Sequence, residues 1–279
     1  MRPLPDYPSQ WTCLLHHLGE WRGTFTDLSP DGAWGRERPS VVTLTGLAAP
    51  QRIRQTISVD GSSKVLEYGG LGRGVLFFAD GAFSQGSLQR SPVGEFGAEL
   101  ALLYGERRVR CALIFQDNHL RGITLIRECR GEAYPWGQTM PLAAGQEWHG
   151  QTTTLWPDWR RPPLQTHTQL ALELAESGQV RRRLWEEAEG EQWVTYTPAN
   201  KTCYQPEGPW QGVLLWLPDG IWISVLQPSG HGKTYQLVLE LFWWHPEILL
   251  GIRRIYGQDG AWESLKHDRC HDPRQCYYS

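Results

Sequence analysis

The chain comes close to repeating itself. Trp21-Arg22-Gly23-Thr24-Phe25-Thr26 returns as Trp148-His149-Gly150-Gln151-Thr152-Thr153, at an offset of 127. Further on, Gly74-Val75-Leu76 returns as Gly212-Val213-Leu214, and Asp80-Gly81 as Asp219-Gly220. Gln116-Asp117 returns as Gln258-Asp259, and Arg127 matches Arg269, both at 142. Each match is weak alone. Together they keep their order while the offset drifts upward, as short loop insertions would make it do. A period near 140 residues is too long for a solenoid and suits two copies of one domain. With 279 residues, each copy has room for its own core. The boundary is expected near 137, giving a first domain over 1–137 and a second over 138–279.

Charge and composition narrow the function classes. A net charge of −3 and a pI near 6.3 give no electrostatic reason to bind nucleic acid or an anionic membrane. The longest greasy run, Leu237 to Trp244, contains Glu240 and is too short to span a bilayer. Met1-Arg2-Pro3-Leu4-Pro5-Asp6 has no apolar signal-peptide core. Six cysteines are too few for a disulfide scaffold of this length. The expectation is a soluble protein of a reducing compartment, the cytoplasm or a stromal equivalent.

Period-two alternation dominates and argues for strands. Ile53, Gln55, Ile57 and Val59 share one face against Arg52, Arg54, Thr56 and Ser58. Val109, Cys111, Leu113 and Phe115 repeat the pattern against Arg108 and Arg110. The long run from Leu164 to Leu174, the turn Glu176-Ser177-Gly178 and the run from Val180 to Leu184 predict a hairpin. Trp11, Leu14, Leu15 and Leu18 predict one short helix behind Ser9 as N-cap, ending at Gly19. Glu132 to Gly145 breaks the alternation and is expected as the linker. The fold class is therefore all-β: two tandem antiparallel up-and-down barrels with a short N-terminal helix, each closed so that no edge is left open. Fifteen tryptophans are expected as barrel filling.

Few residues suggest chemistry. Gly69-Gly70-Leu71-Gly72-Arg73-Gly74 and Ser229-Gly230-His231-Gly232-Lys233-Thr234 fail as phosphate loops, because strand patterns and not helices follow them. Cys270, His271 and Cys276 lack the second ligand pair of a structural zinc site. His16 and His17 are expected at the surface or capping the helix. The acidic run Glu186, Glu187, Glu189, Glu191 is expected as a solvated turn. No Ser or Cys nucleophile stands in a recognisable setting. The expectation is a non-enzyme without cofactor or metal. The loop Trp156-Pro157-Asp158-Trp159-Arg160-Arg161-Pro162-Pro163 is different, since Trp and Arg dominate binding hot spots and proline stiffens a loop. Trp156, Trp159, Arg160 and Arg161 are the candidate partner-binding residues; a stiff loop folded over the barrel mouth explains them equally well.

Gly19-Glu20-Trp21 has the G-x-W form that opens lipocalin-type (calycin) barrels, where an arginine of the last strand stacks on the tryptophan. Pairing Trp21 with Arg127, and Trp148 with Arg269, is expected as a structural latch contributing on the order of 1 kcal/mol each. The stretch Leu18-Gly19-Glu20-Trp21-Arg22-Gly23-Thr24-Phe25-Thr26, the strand Pro39-Ser40-Val41-Val42-Thr43-Leu44 and the tandem layout resemble a cyanobacterial and plant family of unknown function. That family includes the plastid biogenesis factor required for ATP synthase. The resemblance implies two lipocalin-like barrels and a protein partner. It also implies a role in assembling the F1 head of ATP synthase through its β and γ subunits. The alternative is a lipocalin-type carrier or lyase for a lipophilic ligand such as a bilin, another tetrapyrrole or a fatty acid. An isomerase or cyclase acting in a barrel cavity is a more distant third.

Overall fold

Alternating side chains have become strands almost throughout. The computed structural model describes residues 1–47, 51–138, 140, 145–228 and 237–274. After the two-residue strand β1 (Arg2–Pro3) and helix α1 (Gln10–Leu14) come β2 (Gly19–Leu28), β3 (Trp34–Leu47), β4 (Arg52–Val59) and β5 (Ser62–Tyr68). They are followed by β6 (Val75–Phe77), β7 (Phe83–Gly86), β8 (Glu95–Tyr104), β9 (Arg107–Gln116) and β10 (His119–Cys129). Then come β11 (Gln146–Leu155), β12 (Leu164–Leu174), β13 (Val180–Glu186), β14 (Gly190–Pro198) and β15 (Cys203–Pro206). The last five are β16 (Trp210–Leu217), β17 (Ile221–Pro228), β18 (Leu237–His245), β19 (Ile248–Tyr256) and β20 (Trp262–His271). One compact unit is Pro8–Trp136; the other begins at Gly137 and also takes Met1–Tyr7. The seven N-terminal residues, expected with the first barrel, instead add β1 to β12, and the Leu4 amide donates to Pro163 O at 2.8 Å.

Both units are antiparallel meanders, and turn chemistry explains their hairpins. Asp60-Gly61 and Asp117-Asn118 each join two strands with both residues at positive φ, the backbone of a two-residue type I′ turn. Helix α1 is shorter than its periodicity suggested. Ser9 Oγ caps it by accepting from the Thr12 amide at 3.1 Å, and after Leu14 the chain tightens into one 3₁₀ turn over Leu15–His17. Leu18 is already extended, so the helical face stops there.

The two barrels close differently. In the second, β11 to β20 pair in a ring, with β13 meeting β12 to complete it. In the first, β5 and β6 are the two ends of a nine-stranded sheet, and among the described residues no ladder joins them. The expectation of two closed barrels is corrected for this one. Every neighbouring pair is antiparallel, so β5 and β6 run in the same direction and residues 69–74 must return between them. In the second barrel β15 makes that return and pairs with β14 and β16 on either side. Four of the six residues 69–74 are glycine, which weakens strand formation.

The strand glycine two residues after the repeated tryptophan has the same function in each unit. A Cβ built on Gly23 would lie 1.8 Å from the Arg127 carbonyl oxygen, and one on Gly150 2.0 Å from that of Arg269. At these points β2 meets β10 and β11 meets β20, the contacts that join the first strand of each barrel to its last. Gly23→Ala and Gly150→Ala should each destabilise the protein by about 1–3 kcal/mol or more through overpacking. Chemical denaturation followed by fluorescence and circular dichroism checks this; an unchanged midpoint would show that the strands can spread at no cost.

Candidate functional site

The first barrel is hollow. Its interior holds a cavity of about 590 Å³, larger than many small-molecule sites need. Leu44, Ile57 and Leu66 line one wall, Phe25 and Ile126 another, and Leu14, Phe77 and Phe83 the end nearest the helix. Leu71, from the glycine-rich return between β5 and β6, lines the seam.

Into this apolar space β9 projects Arg108 and Arg110. Alternation along β9 correctly separates these arginines from Val109, Cys111 and Leu113. It does not say which set faces inward, and here it is the arginines. Their charges are met by carboxylates on the flanking strands. Glu128 of β10 accepts from Arg108 Nε at 2.8 Å and from Arg110 Nε and Nη2, both at 3.0 Å. Glu99 of β8 accepts from Arg110 Nη1 at 2.6 Å and from Gln85 Nε2 at 2.7 Å. Burial works against the charge on Glu128, but Arg110 and Arg108 outweigh it and hold its carboxyl below the usual range. For Arg108 burial wins over Glu128 and brings the guanidinium down to about 10, still charged at neutral pH. Burial also opposes Arg110, yet Glu128 and Glu99 together raise it.

His17 belongs to this network and not to the surface. It is 1% exposed. Nε2 lies 2.7 Å from Gly81 O, which only accepts, and Nδ1 lies 2.9 Å from Arg108 Nη1, which only donates. The neutral Nε2–H tautomer is the one that satisfies both. Burial, and then the Arg108 charge, push its pKa well below the ordinary 6.5. The spacing that placed His17 beside the helix held no sign of this, because it carried no information about which strand would close over it.

The proposed latch is corrected in both units. Trp21 is fully buried and does carry arginines, but they are Arg108 at 4.2 Å and Arg130 at 4.5 Å from its ring centre. Arg127 lies opposite Thr24 and stacks on Trp34 at 5.3 Å, with Glu37 at 2.9 Å. Arg130, which directly follows β10, is thus a stacking residue three positions later than the repeat suggested. In the second unit Trp148 points inward, between Trp222 and Trp244, while Arg269 is exposed on the outer face. There it lines a depression with His149, His167 and His271.

The second barrel is filled where the first is empty. Trp216, Trp222 and Phe242 stack in a column with ring centres 5.1 and 4.9 Å apart. Glu186 is not on a solvated turn: it is buried, and takes Arg253 at 2.9 and 3.1 Å and Lys266 at 3.0 Å. Arg182 is matched there by Glu240. About 280 Å³ remains beside these charges.

The Trp156–Pro163 loop follows β11 and is ordered from within. Asp158 accepts from the Arg160 amide at 3.1 Å and from Arg161 Nε at 3.2 Å, and Arg161 stacks on Trp156 at 4.7 Å. Trp156 and Arg161 therefore shape the loop, leaving Trp159 and Arg160 to project. Trp159 is 51% exposed and sits at φ 58°, a backbone that aromatic residues rarely adopt. Of the candidate metal set, Cys270 is buried, His271 Nδ1 lies 2.9 Å from Glu247 O, and Cys276 lies outside the described residues, as does the Ser229–Thr234 motif. Among the described residues no three metal-binding side chains converge, and no helix is long and apolar enough to cross a membrane.

Glu128→Gln would leave two buried guanidiniums short of their shared carboxylate and should cost about 3–5 kcal/mol in chemical denaturation. A loss under 1 kcal/mol would mean the network relaxes freely. His17 gives a pH signature. Because its folded pKa is lowered, the unfolded chain binds the extra proton first. Stability from this group is full above pH 6.5 and falls as the pH drops below it. Between pH 7.5 and 5.5 the loss should be ~1.4 kcal/mol greater in the wild type than in His17→Gln. Equal losses in the two proteins would place His17 outside the network.

Comparison with known proteins matches the two units to two family models. Residues 7–133 match the N-terminal domain of DUF3598, a domain of unknown function. Residues 142–268 match the C-terminal domain of biogenesis factor required for ATP synthase 1. Among solved structures, a protein of unknown function from the DUF3598 family of Nostoc punctiforme is 32% identical over 95% of this chain and 99% of its own, with a TM-score of 0.84. A kievitone hydratase from Nectria haematococca aligns over 96% of this chain and 94% of its own, at 7% identity and a TM-score of 0.21, too distant to carry an argument. No curated protein matches the chain.

Proposed function

This chain belongs to the DUF3598 family, and on that footing we propose that it is a non-catalytic assembly factor for ATP synthase. The match of its second domain to the C-terminal domain of a biogenesis factor carries this reading. In its finer form, the protein captures the β or γ subunit of the F1 head and presents it for joining. The Trp156–Arg161 loop is the surface best suited to such capture. Asp158 and the Trp156–Arg161 stack fix its shape before a partner arrives, so little ordering cost remains to be met on binding. Trp159 and Arg160 then stand out as a large ring and a charge, the pair of residue types that most often carries binding energy. The strained backbone at Trp159 is consistent with a position kept for contact and not for packing.

A second reading, a carrier for a lipophilic molecule, is favoured by the 590 Å³ cavity of the first domain, which capture by a surface loop does not use.

The test is a pull-down with tagged protein from a cyanobacterial lysate, comparing wild type with Trp159→Ala/Arg160→Ala. Wild type should recover β or γ subunits, and the double variant at least tenfold less, with an unchanged denaturation midpoint. Recovery of no ATP synthase subunit by the wild type defeats the assembly reading. Equal recovery by the variant removes the loop from the interface.

A further inference from the structure

The charges inside the first barrel are already balanced, and that balance selects what its cavity can hold. Two guanidiniums, Arg108 and Arg110, face two carboxylates, Glu128 and Glu99. Farther along the wall Arg38 is paired at 2.5 Å with Asp27, which is 46% exposed and stands outside the cavity lining, so this pair is a solvent-facing one. His17 is neutral and bonded through both ring nitrogens. An anion entering this space would either take Arg110 from Glu99, leaving a nearly buried carboxylate without its cation, or sit on the spare Arg110 N–H groups beside two carboxylates that already use that charge. A cation would have to draw Glu99 away and strand the guanidinium. Either exchange replaces one buried pair by another and adds an unpaired charge, which is costly at low dielectric.

An uncharged molecule escapes that cost. Arg110 engages three of its five N–H groups with Glu128 and Glu99, so the rim of this network still has hydrogen-bonding capacity without surrendering a pair. Tyr68 and Gln55, bonded to each other at 3.2 Å, add a second polar spot on the opposite wall. Most of the remaining lining is rings and alkyl groups, with Arg38, Gln85 and Thr124 among them.

We propose that the first barrel binds one uncharged lipophilic molecule bearing a hydrogen-bonding group. Its apolar body lies against Phe25, Leu44, Ile57 and Ile126, and its polar group meets Arg110 and Glu99. It enters at the seam between β5 and β6, where the wall is the glycine-rich return and not a hydrogen-bonded strand. Free fatty acids and propionate-bearing tetrapyrroles, charged at neutral pH, are disfavoured at the Arg110–Glu99 end by the same argument. The site lies wholly in the first domain, so its fate is independent of whether the second domain captures an ATP synthase subunit.

Two dyes that share a ring frame and differ by one charge test this on the full chain. N-Phenyl-1-naphthylamine is neutral with one N–H donor; 1-anilinonaphthalene-8-sulfonate carries a sulfonate. Fluorescence titration should show saturable one-to-one binding of the neutral dye, at least tenfold tighter than the sulfonate. Ala112→Phe, which fills the cavity from β9, and Leu66→Trp, which fills it from the partly exposed seam, should each weaken the neutral dye at least tenfold. Trp159→Ala should leave that affinity unchanged. Should Ala112→Phe fail to fold, Leu66→Trp decides alone. Failure of the neutral dye to bind, equal or tighter binding of the sulfonate, or an affinity indifferent to filling in the folded variants overturns the proposal.

Discussion

The fork of Arg110 onto Glu128 is the contact on which the first barrel depends. It fixes the register of β9 against β10, because a slip of one residue would send both arginines to the far face and bring Val109 and Cys111 inward. It also explains how the barrel stays hollow. Charged side chains that are bonded to each other cannot collapse into the space beside them, whereas alkyl groups could. A buried pair of this kind adds little net stability compared with a well-packed apolar core. Its use is to set a shape.

The second barrel employs the same chemistry to a different end. Arg253 there holds both Glu186 and Asp268, as Arg110 holds Glu128 and Glu99. Around that cluster, however, the interior is occupied by stacked indoles and a phenyl ring. One module keeps its volume and the other fills it. The two functional readings accordingly fall on separate domains: the small-molecule site inside the first, and protein capture on a loop outside the second.

How much of this was legible beforehand depends on what kind of information each feature needs. Hairpins and turns were readable because they are local: Asp60-Gly61 and the Glu176–Gly178 turn announce themselves within four residues. The barrel architecture was readable from alternation and from the returning Trp-x-Gly strand. What alternation lacks is a sign. It separates Arg108 and Arg110 from Val109 and Cys111 without saying which set faces the cavity, and in β9 both sets are buried, with the arginines on the cavity side. The burial of His17 and Glu186 was hidden for the same reason, since their cations arrive from β9, β19 and β20, far away in sequence. The latch failed by three residues: Arg127 and Arg269 do correspond, but through carbonyls above Gly23 and Gly150. Matching side-chain identity revealed the position, and only geometry revealed that the backbone was the contact.

The return segment between β5 and β6 gives the first barrel one stave that no ladder binds. Edge backbone left without neighbouring strands exchanges its amide hydrogens at low opening energy, while amides inside a complete ring wait for wider unfolding. The wall can therefore part along one line and heal again with the remaining strands intact. In its twin the short strand β15 laces that line to both neighbours, and those ladders must break before anything passes there.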